Sequence, residues 1–185
     1  IQANPLSGIC KRILREESPE YINETTYQEL TFFKNHFVMQ SERDGYNHLY
    51  LYTIGGNLVK QLTKGEYDVN GFIGWDEKKN LFYYSSNEGN PTRTAVYRLD
   101  GKNKKTRITQ KEGTNSTTFS KGLKYFVNSY QNLTTPPVVT LNDNNGKELA
   151  TILDNKELKE KLKGINMGQK EIFTFTNGDG EACRF

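Results

Sequence analysis

The chain has 185 residues, of which 34% are hydrophobic and 12% aromatic, and its 25 basic and 22 acidic residues give a formal net charge of +3. A charge this close to balance gives no reason to expect a nucleic-acid partner, and no apolar run approaches the ~18 residues of a membrane-spanning helix. Many aromatic and few aliphatic residues favour many short β-strands, because aromatic side chains pack well on a pleated sheet.

From the N-terminal end, the sequence predicts an isolated strand and then a first four-stranded unit. Residues 9–17 are predicted to form an outer strand with Ile13 and Leu14 at its centre. Ser18-Pro19-Glu20 ends this strand, because proline cannot donate to a strand ladder. Residues 27–65 form the unit, with strands at Tyr27–Phe33, Phe37–Gln40, His48–Ile54 and Leu58–Leu62.

Two further units follow, at residues 69–113 and 114–155. Their strands are predicted at Val69–Gly74, Leu81–Ser85, Thr94–Leu99 and Thr106–Thr109, and at Ser116–Phe119, Tyr125–Ser129, Val138–Asn142 and Leu149–Leu153. Asp154-Asn155 is expected to cap a short helix near residues 156–163, centred on Glu157–Leu162. The strand Glu171–Thr176 then begins another unit, so that residues 156–185 hold the helix and the start of a further repeat.

Two short patterns repeat along these units at a nearly constant interval. Phe37–Ser41, Phe82–Ser86 and Tyr125–Ser129 are similar strands whose last serines lie 45 and 43 residues apart. A second pattern recurs at intervals of 46 and 44 residues, with Arg12-Ile13-Leu14 as an earlier copy; its members are Gln61-Leu62-Thr63, Arg107-Ile108-Thr109 and Thr151-Ile152-Leu153. A period of about 40–45 residues built of strands is one four-stranded propeller blade.

The repeat predicts an all-β fold in which residues 1–185 are a fragment of one β-propeller domain. About three four-stranded antiparallel blades lie between partial blades at both ends, and one short helix lies near 156–163. A blade buries both faces against its neighbours, and a ring needs at least four blades. We therefore expect a longer full-length protein, or self-association through the uncovered blade faces.

No catalytic residue, metal or cofactor is predicted from the sequence. A Gly-x-Ser-x-Gly elbow for a nucleophilic serine is absent, and neither His36 nor His48 has a serine and a carboxylate in a suitable pattern. Cys10 and Cys183 lack metal-ligand spacing. They are interpreted as separate buried or edge thiols, with a disulfide as the alternative.

A few charged and aromatic residues have competing interpretations. The lysine-rich stretches Lys102–Lys105 and Lys156–Lys163 are predicted to form solvated surfaces. One carboxylate of Glu16-Glu17 could face a central channel, because this pair leads into a crossing between blades. Trp75 is predicted to be a packing residue at a turn between strands, with a ligand platform as the alternative.

Three segments carry a resemblance to a known family. Gly45–Tyr52, Gln61–Val69 and Leu81–Glu88 resemble, in order and spacing, the propeller domain of the dipeptidyl peptidase IV family of prolyl-oligopeptidase-type serine peptidases, particularly its bacterial members. The helix after Ile152-Leu153-Asp154-Asn155 resembles the end of that propeller. The resemblance covers residues from about 9 to 180.

The resemblance implies an eight-bladed propeller followed by an α/β-hydrolase domain, in an enzyme that removes N-terminal dipeptides with Pro or Ala second. This chain would be the last blades; the amine-binding glutamates would lie upstream and the catalytic triad downstream. Animal members carry an aromatic–arginine pair near the equivalent of Tyr21–Gln28, where this sequence has no arginine. By position, Tyr21 and Tyr27 are candidates to face the substrate cavity, and packing between blades is the alternative.

The expected partners follow from the same resemblance. They are the remaining blades and hydrolase domain of the full-length protein and its peptide substrate. The full-length protein is expected to be exported to the periplasm or cell envelope, although Ile1-Gln2-Ala3-Asn4-Pro5 does not begin a signal peptide. Two other functions stay open: a stand-alone propeller that binds proteins, and a TolB-like or sugar-handling propeller.

Overall fold

A two-stranded hairpin precedes three four-stranded antiparallel sheets in the chain. The structure is a computed structural model that describes residues 1–19, 21–23, 30–166, 168, 170–180 and 182–184.

The hairpin comprises β1 (Gln2–Ala3) and β2 (Cys10–Lys11). Blade one comprises β3 (Thr31–Phe32), β4 (His36–Ser41), β5 (His48–Thr53) and β6 (Leu58–Gln61). Blade two comprises β7 (Val69–Asp76), β8 (Leu81–Ser86), β9 (Ala95–Leu99) and β10 (Lys105–Arg107). Blade three comprises β11 (Thr114–Phe119), β12 (Tyr125–Gln131), β13 (Val138–Asp143) and β14 (Glu148–Leu153).

Within each blade the strands neighbour one another in chain order, so each blade is an antiparallel meander. Helix α1 (Lys156–Lys163) follows blade three, and a hairpin of β15 (Thr174–Thr176) and β16 (Ala182–Arg184) follows the helix. This architecture confirms the predicted all-β, partial-propeller fold with a short helix. None of the described helices is long and apolar enough to cross a membrane.

The central strand β8 shows how the blades stack. Successive side chains of a strand point to opposite faces, and the three aromatic residues Phe82, Tyr83 and Tyr84, which alternate between the faces, are fully buried. Phe82 and Tyr84 pack into the cluster shared with blade one, whereas Tyr83 packs with Ile108 and Phe126 in the cluster shared with blade three. Blade two is therefore covered on both sides by its neighbours.

Blade three, by contrast, has one open face. Phe126 is buried against blade two, whereas its neighbours Tyr125 and Val127 are 50% and 36% exposed. Self-association through this face stays a prediction.

The predicted outer strand at 9–17 is wrong in its extent, because only Cys10–Lys11 forms a strand. Ile13 and Leu14 nevertheless pack on the core of blade one. A Cβ at Gly56 would lie 1.9 Å from the Ile13 carbonyl oxygen, and one at Gly146 would lie 2.2 Å from that of Ile108. Ile13 thus contacts the next blade as Ile108 does, but no described strand pairs with residues 12–17.

Other boundaries also differ from the predictions. Trp75 lies in β7 rather than in the following turn, and β15 is shorter than the predicted Glu171–Thr176. Asn155 makes no side-chain cap at α1, while the Asp154 carboxylate accepts the Lys156 N–H at 3.1 Å. Of the predicted strand Tyr27–Phe33, residues 27–29 lie outside the described residues and β3 covers Thr31–Phe32.

The meander places two kinds of connection on opposite faces of the molecule. The loop face carries the connections from second to third strands and from blade to blade, at 42–47, 62–68, 87–94, 108–113 and 132–137. The turn face carries the connections from first to second and from third to fourth strands, together with the adjoining strand ends His36, Asp76 and Asp143; it comprises residues 33–36, 54–57, 76–80, 100–104, 120–124 and 143–147. A parallel bridge between Thr94 and Thr114 shows that adjacent blades share this orientation.

Candidate functional site

Two threonines at equivalent positions of blades one and two accept main-chain hydrogen bonds next to the loop face. Thr63 Oγ1 accepts the Leu49 N–H, and Thr109 Oγ1 accepts the Val96 N–H, each at 2.9 Å. Strands β6 and β10 end two residues before these threonines. The hydroxyls therefore replace main-chain acceptors that the ended strands no longer supply, which keeps buried N–H groups paired.

Polar side chains also bind each blade to the next. The Asp68 carboxylate accepts the Asn47 N–H at 2.9 Å, and Asn47 Nδ2 donates to the Val69 carbonyl at 2.7 Å. At the next junction, Asn115 donates to the Thr94 carbonyl through both its main-chain N–H and its Nδ2, at 3.1 and 2.9 Å. These bonds fix the loops of successive blades relative to one another.

A groove of about 390 Å³ opens on the loop face where blades two and three meet. Its walls come from both blades and from the segment after α1: Thr92, Arg93, Glu112, Gly113, Thr114, Gln131, Asn132, Leu133, Thr134 and Ile172. A Cβ at Gly113 would lie 2.4 Å from the Gln131 carbonyl oxygen, so only glycine fits at this close approach.

The charge in the groove is organised by one carboxylate. Glu112 accepts hydrogen bonds from Arg93 Nη1 and Arg107 Nη1, both at 2.6 Å. These bonds from Arg107 and Arg93 hold the pKa of Glu112 below its usual range. Within the described residues the Arg93 side chain bonds only through Nη1, so its Nε and Nη2 donors remain for a ligand.

A short hydrogen-bond chain through Tyr130 connects two residues that line the groove, Asn132 and Glu112. Asn132 Nδ2 donates to the Tyr130 hydroxyl at 2.8 Å, and that hydroxyl donates to the Glu112 carbonyl at 3.0 Å. The groove thus combines fixed polar groups with the apolar side chains of Leu133 and Ile172. Such a surface can bind a polar chain such as a peptide.

A second charged cluster joins residues 12–17 to blade one. Arg43 pairs with Glu16 at 2.6 Å, donates from Nη1 to the Tyr52 hydroxyl at 2.7 Å, and lies 4.3 Å above the Tyr50 ring. Glu16 also accepts a hydrogen bond from Ser41. Burial raises the pKa of the Tyr50 phenol above its usual range. The Glu16 carboxylate therefore forms a partly buried ion pair that connects residues 12–17 to blade one.

Both histidines have packing roles. His48 is 1% exposed, with Nδ1 3.1 Å from Thr63 Oγ1 and Nε2 2.9 Å from the Gly65 carbonyl oxygen. The His36 ring meets the Trp75 ring edge-on, with centroids 5.6 Å apart. Trp75 stacks on Phe82 at 4.9 Å, which confirms it as a packing residue.

Of the two candidate cavity residues, Tyr21 and Tyr27, the structure describes Tyr21. Tyr21 is 75% exposed in this chain, and Tyr27 lies outside the described residues. A cavity-facing role for both stays a prediction. Cys10 and Cys183 are not joined by a disulfide. Among the described residues, no three His, Cys, Asp or Glu side chains form a group that could hold a metal.

The ion-paired residues of the groove were not found by sequence reasoning. Arg93 and Glu112 are separated by 19 positions, and no local motif connects them. The only usable signal is their placement, since both lie in connections of blade two that the meander brings to the loop face.

Comparisons with known proteins point to one family. A model of the family described as "Dipeptidyl peptidase IV (DPP IV) N-terminal region" matches residues 1–137. The chain is 32% identical over 152 residues to dipeptidyl peptidase 4 of Trichophyton rubrum, and 31% identical over 154 residues to that of Arthroderma otae. Each alignment covers 80% of this chain and 20% of the relative, so the chain spans about a fifth of these relatives' length.

A solved structure gives the same result in three dimensions. The crystal structure of Porphyromonas gingivalis dipeptidyl peptidase 4 is similar to this chain with a TM-score of 0.93 and 34% sequence identity. The similarity covers 98% of this chain and 26% of that one. Nearly every described element therefore has a counterpart there.

Proposed function

The chain belongs to the dipeptidyl peptidase IV N-terminal region family, and from this premise we propose that it walls part of the substrate chamber of a serine-type dipeptidyl peptidase. The observation that carries the proposal is the similarity to P. gingivalis dipeptidyl peptidase 4 over 98% of the chain. The full-length enzyme would remove N-terminal dipeptides with Pro or Ala second, and it would work outside the cytoplasm.

The loop face is the surface that we assign to the chamber. It carries the groove between blades two and three, whose Arg93 has free donors for peptide carbonyl or carboxylate groups. Tyr21 lies in the segment before blade one and is largely exposed. The rim of this face would also dock the α/β-hydrolase domain of the full-length protein.

The chain itself would take no part in bond cleavage. Its two histidines are used in packing, and the sequence has no Gly-x-Ser-x-Gly elbow. Nucleophile, acid and base would come from the hydrolase domain. In an assay of the purified 185-residue chain with a Pro-containing dipeptidyl anilide, we expect no release above background. Release that a serine-directed inhibitor abolishes would overturn the noncatalytic role.

The chamber role is tested in the full-length protein with Arg93→Ala. Loss of a ligand hydrogen bond worth about 0.5–1.5 kcal/mol should raise KM for a peptide substrate about two- to tenfold, with kcat unchanged. Lys11→Ala, which removes an exposed charge in the N-terminal hairpin, is the matched control and should leave both constants unchanged. An unchanged KM in Arg93→Ala, or a loss confined to kcat, would contradict contact with substrate in this groove.

A further inference from the structure

The lysines of the three blades are concentrated on the turn face. Its segments hold eight lysines and four carboxylates, for a net charge of +4; the lysines are Lys34, Lys78, Lys79, Lys102, Lys104, Lys121, Lys124 and Lys147. The loop-face segments hold four basic and six acidic residues, for a net charge of −2. The near balance of the whole chain therefore conceals two faces of opposite charge.

The positive charge of the turn face is not neutralised by neighbouring side chains. All eight lysines are exposed, and none is in an ion pair among the described residues. Cations of blade two whose partners lie on the loop face behave differently: Arg93 and Arg107 pair with Glu112, and Lys105, at the start of β10, pairs with Glu88. These three ion pairs of blade two thus involve loop-face carboxylates and none of the eight turn-face lysines.

The carboxylates of the turn face are occupied by main-chain groups. Asp100 accepts the N–H groups of Lys102 and Lys104, each at 2.9 Å. Asp143 accepts the N–H groups of Asn145 and Lys147 at the same distance. These bonds hold the hairpin turns in shape, and the lysines of these turns are exposed.

We propose that the turn face binds an anionic lipid surface peripherally. The lysines belong to three adjacent blades, and packed sheets lie about 10 Å apart, so the charge extends over a broad area and does not converge on one pocket. The turn-face segments contain no arginine. Lysine is a hydrated point charge suited to diffuse attraction, whereas arginine is favoured for bidentate contacts to nucleic-acid phosphates. The proposal is independent of the peptidase function.

The test is co-sedimentation of the purified chain with vesicles of phosphatidylcholine, with and without phosphatidylglycerol. We expect binding to the anionic vesicles only, and binding that falls as salt rises, since the screening length shortens from about 30 Å at 0.01 M to about 8 Å at 0.15 M. Each lysine near such a surface is worth about a fivefold factor, so replacing Lys78, Lys79, Lys121 and Lys124 by Gln should lower the partition coefficient by up to roughly a thousandfold.

The matched control replaces four exposed lysines elsewhere, Lys11, Lys64, Lys161 and Lys170, by Gln, which changes the net charge by the same amount. It should keep most of the binding, and circular dichroism should show that both variants are folded. Equal losses in the two variants, absence of binding by the unaltered chain, or equal binding to uncharged vesicles would overturn the proposal. Tighter binding to double-stranded DNA than to vesicles at equal salt would show that the turn face binds nucleic acid rather than lipid, and would overturn the proposal.

Discussion

Removing the hydroxyl of Thr63 or Thr109 should destabilise the chain, and the repeat allows the two effects to be compared. Thr63 and Thr109 are 3% and 5% exposed, and each accepts a main-chain N–H of the neighbouring strand at 2.9 Å. Thr63 Oγ1 alone also lies 3.1 Å from His48 Nδ1. Valine has nearly the same shape as threonine, so Thr→Val removes the hydroxyl and little else.

The expected magnitudes follow from the bonds lost. Thr109→Val leaves the buried Val96 N–H without an acceptor, which costs about 1–3 kcal/mol of the free energy of unfolding. Thr63→Val leaves the Leu49 N–H in the same condition and also removes the partner of His48, worth about 0.5–1.5 kcal/mol more. We therefore expect Thr63→Val to be the more destabilising change by about 1 kcal/mol.

Urea unfolding followed by circular dichroism measures both variants. Thr118→Val, at an exposed position of β11, is the control and should stay within about 0.5 kcal/mol of the unaltered chain. If both buried variants also stay within that margin, the hydroxyls do not act as main-chain acceptors. If Thr109→Val is the more destabilising, the contact with His48 makes no net contribution, and the reasoning about this histidine is refuted.

Three further predictions concern the turns, the ion pairs and the core. Gly146→Ala should lower the free energy of unfolding by more than about 1 kcal/mol, because φ at Gly146 is +88° and the added Cβ would meet the Ile108 carbonyl oxygen. Gly178→Ala, which has open space around it, is the control and should be nearly neutral. Equal melting temperatures of the two variants would contradict this prediction. The lowered pKa of Glu112 means that its ion pairs stabilise the fold at neutral pH and that this contribution is lost as the pH falls below the usual range of a glutamate. The difference in urea midpoint between Glu112→Gln and the unaltered chain should therefore shrink from about pH 7 to about pH 3, and a constant difference would argue against these pairs. Trp75 packs in the cluster between blades one and two, so its emission should shift on urea unfolding with the same midpoint as circular dichroism, and separate midpoints would show that the blades unfold independently.

Much of the architecture was predictable because blade strands are defined by local pattern. The strand Leu81–Ser86 has large apolar or aromatic groups on both faces, which is expected only of a strand covered on both sides. The hairpin signal at Asn144-Asn145-Gly146 correctly separated β13 from β14. The strand at 9–17 failed, since pairing depends on a partner strand and not on the residues alone.

The candidate site was much less accessible to sequence reasoning. Glu112 meets Arg93 from 19 positions away, and Glu16 meets Arg43 from 27 positions away. Neither pair has a motif, because each depends on which loops the meander brings to one face. The division of charge between the loop and turn faces is hidden in the same way by a total charge of only +3.

Leu62, Ile108 and Ile152 illustrate the difference between what the sequence determines and what the tertiary structure decides. The sequence by itself placed all three at the same step of a 44- to 46-residue repeat, and so determined the blades and their order. Only the tertiary structure decided their environments: Leu62 and Ile108 are 3% and 1% exposed, whereas Ile152 is 60% exposed. The physical reason is that strand formation follows from local side-chain alternation, while burial requires a neighbouring blade, and the described residues place none over the outer strand of blade three.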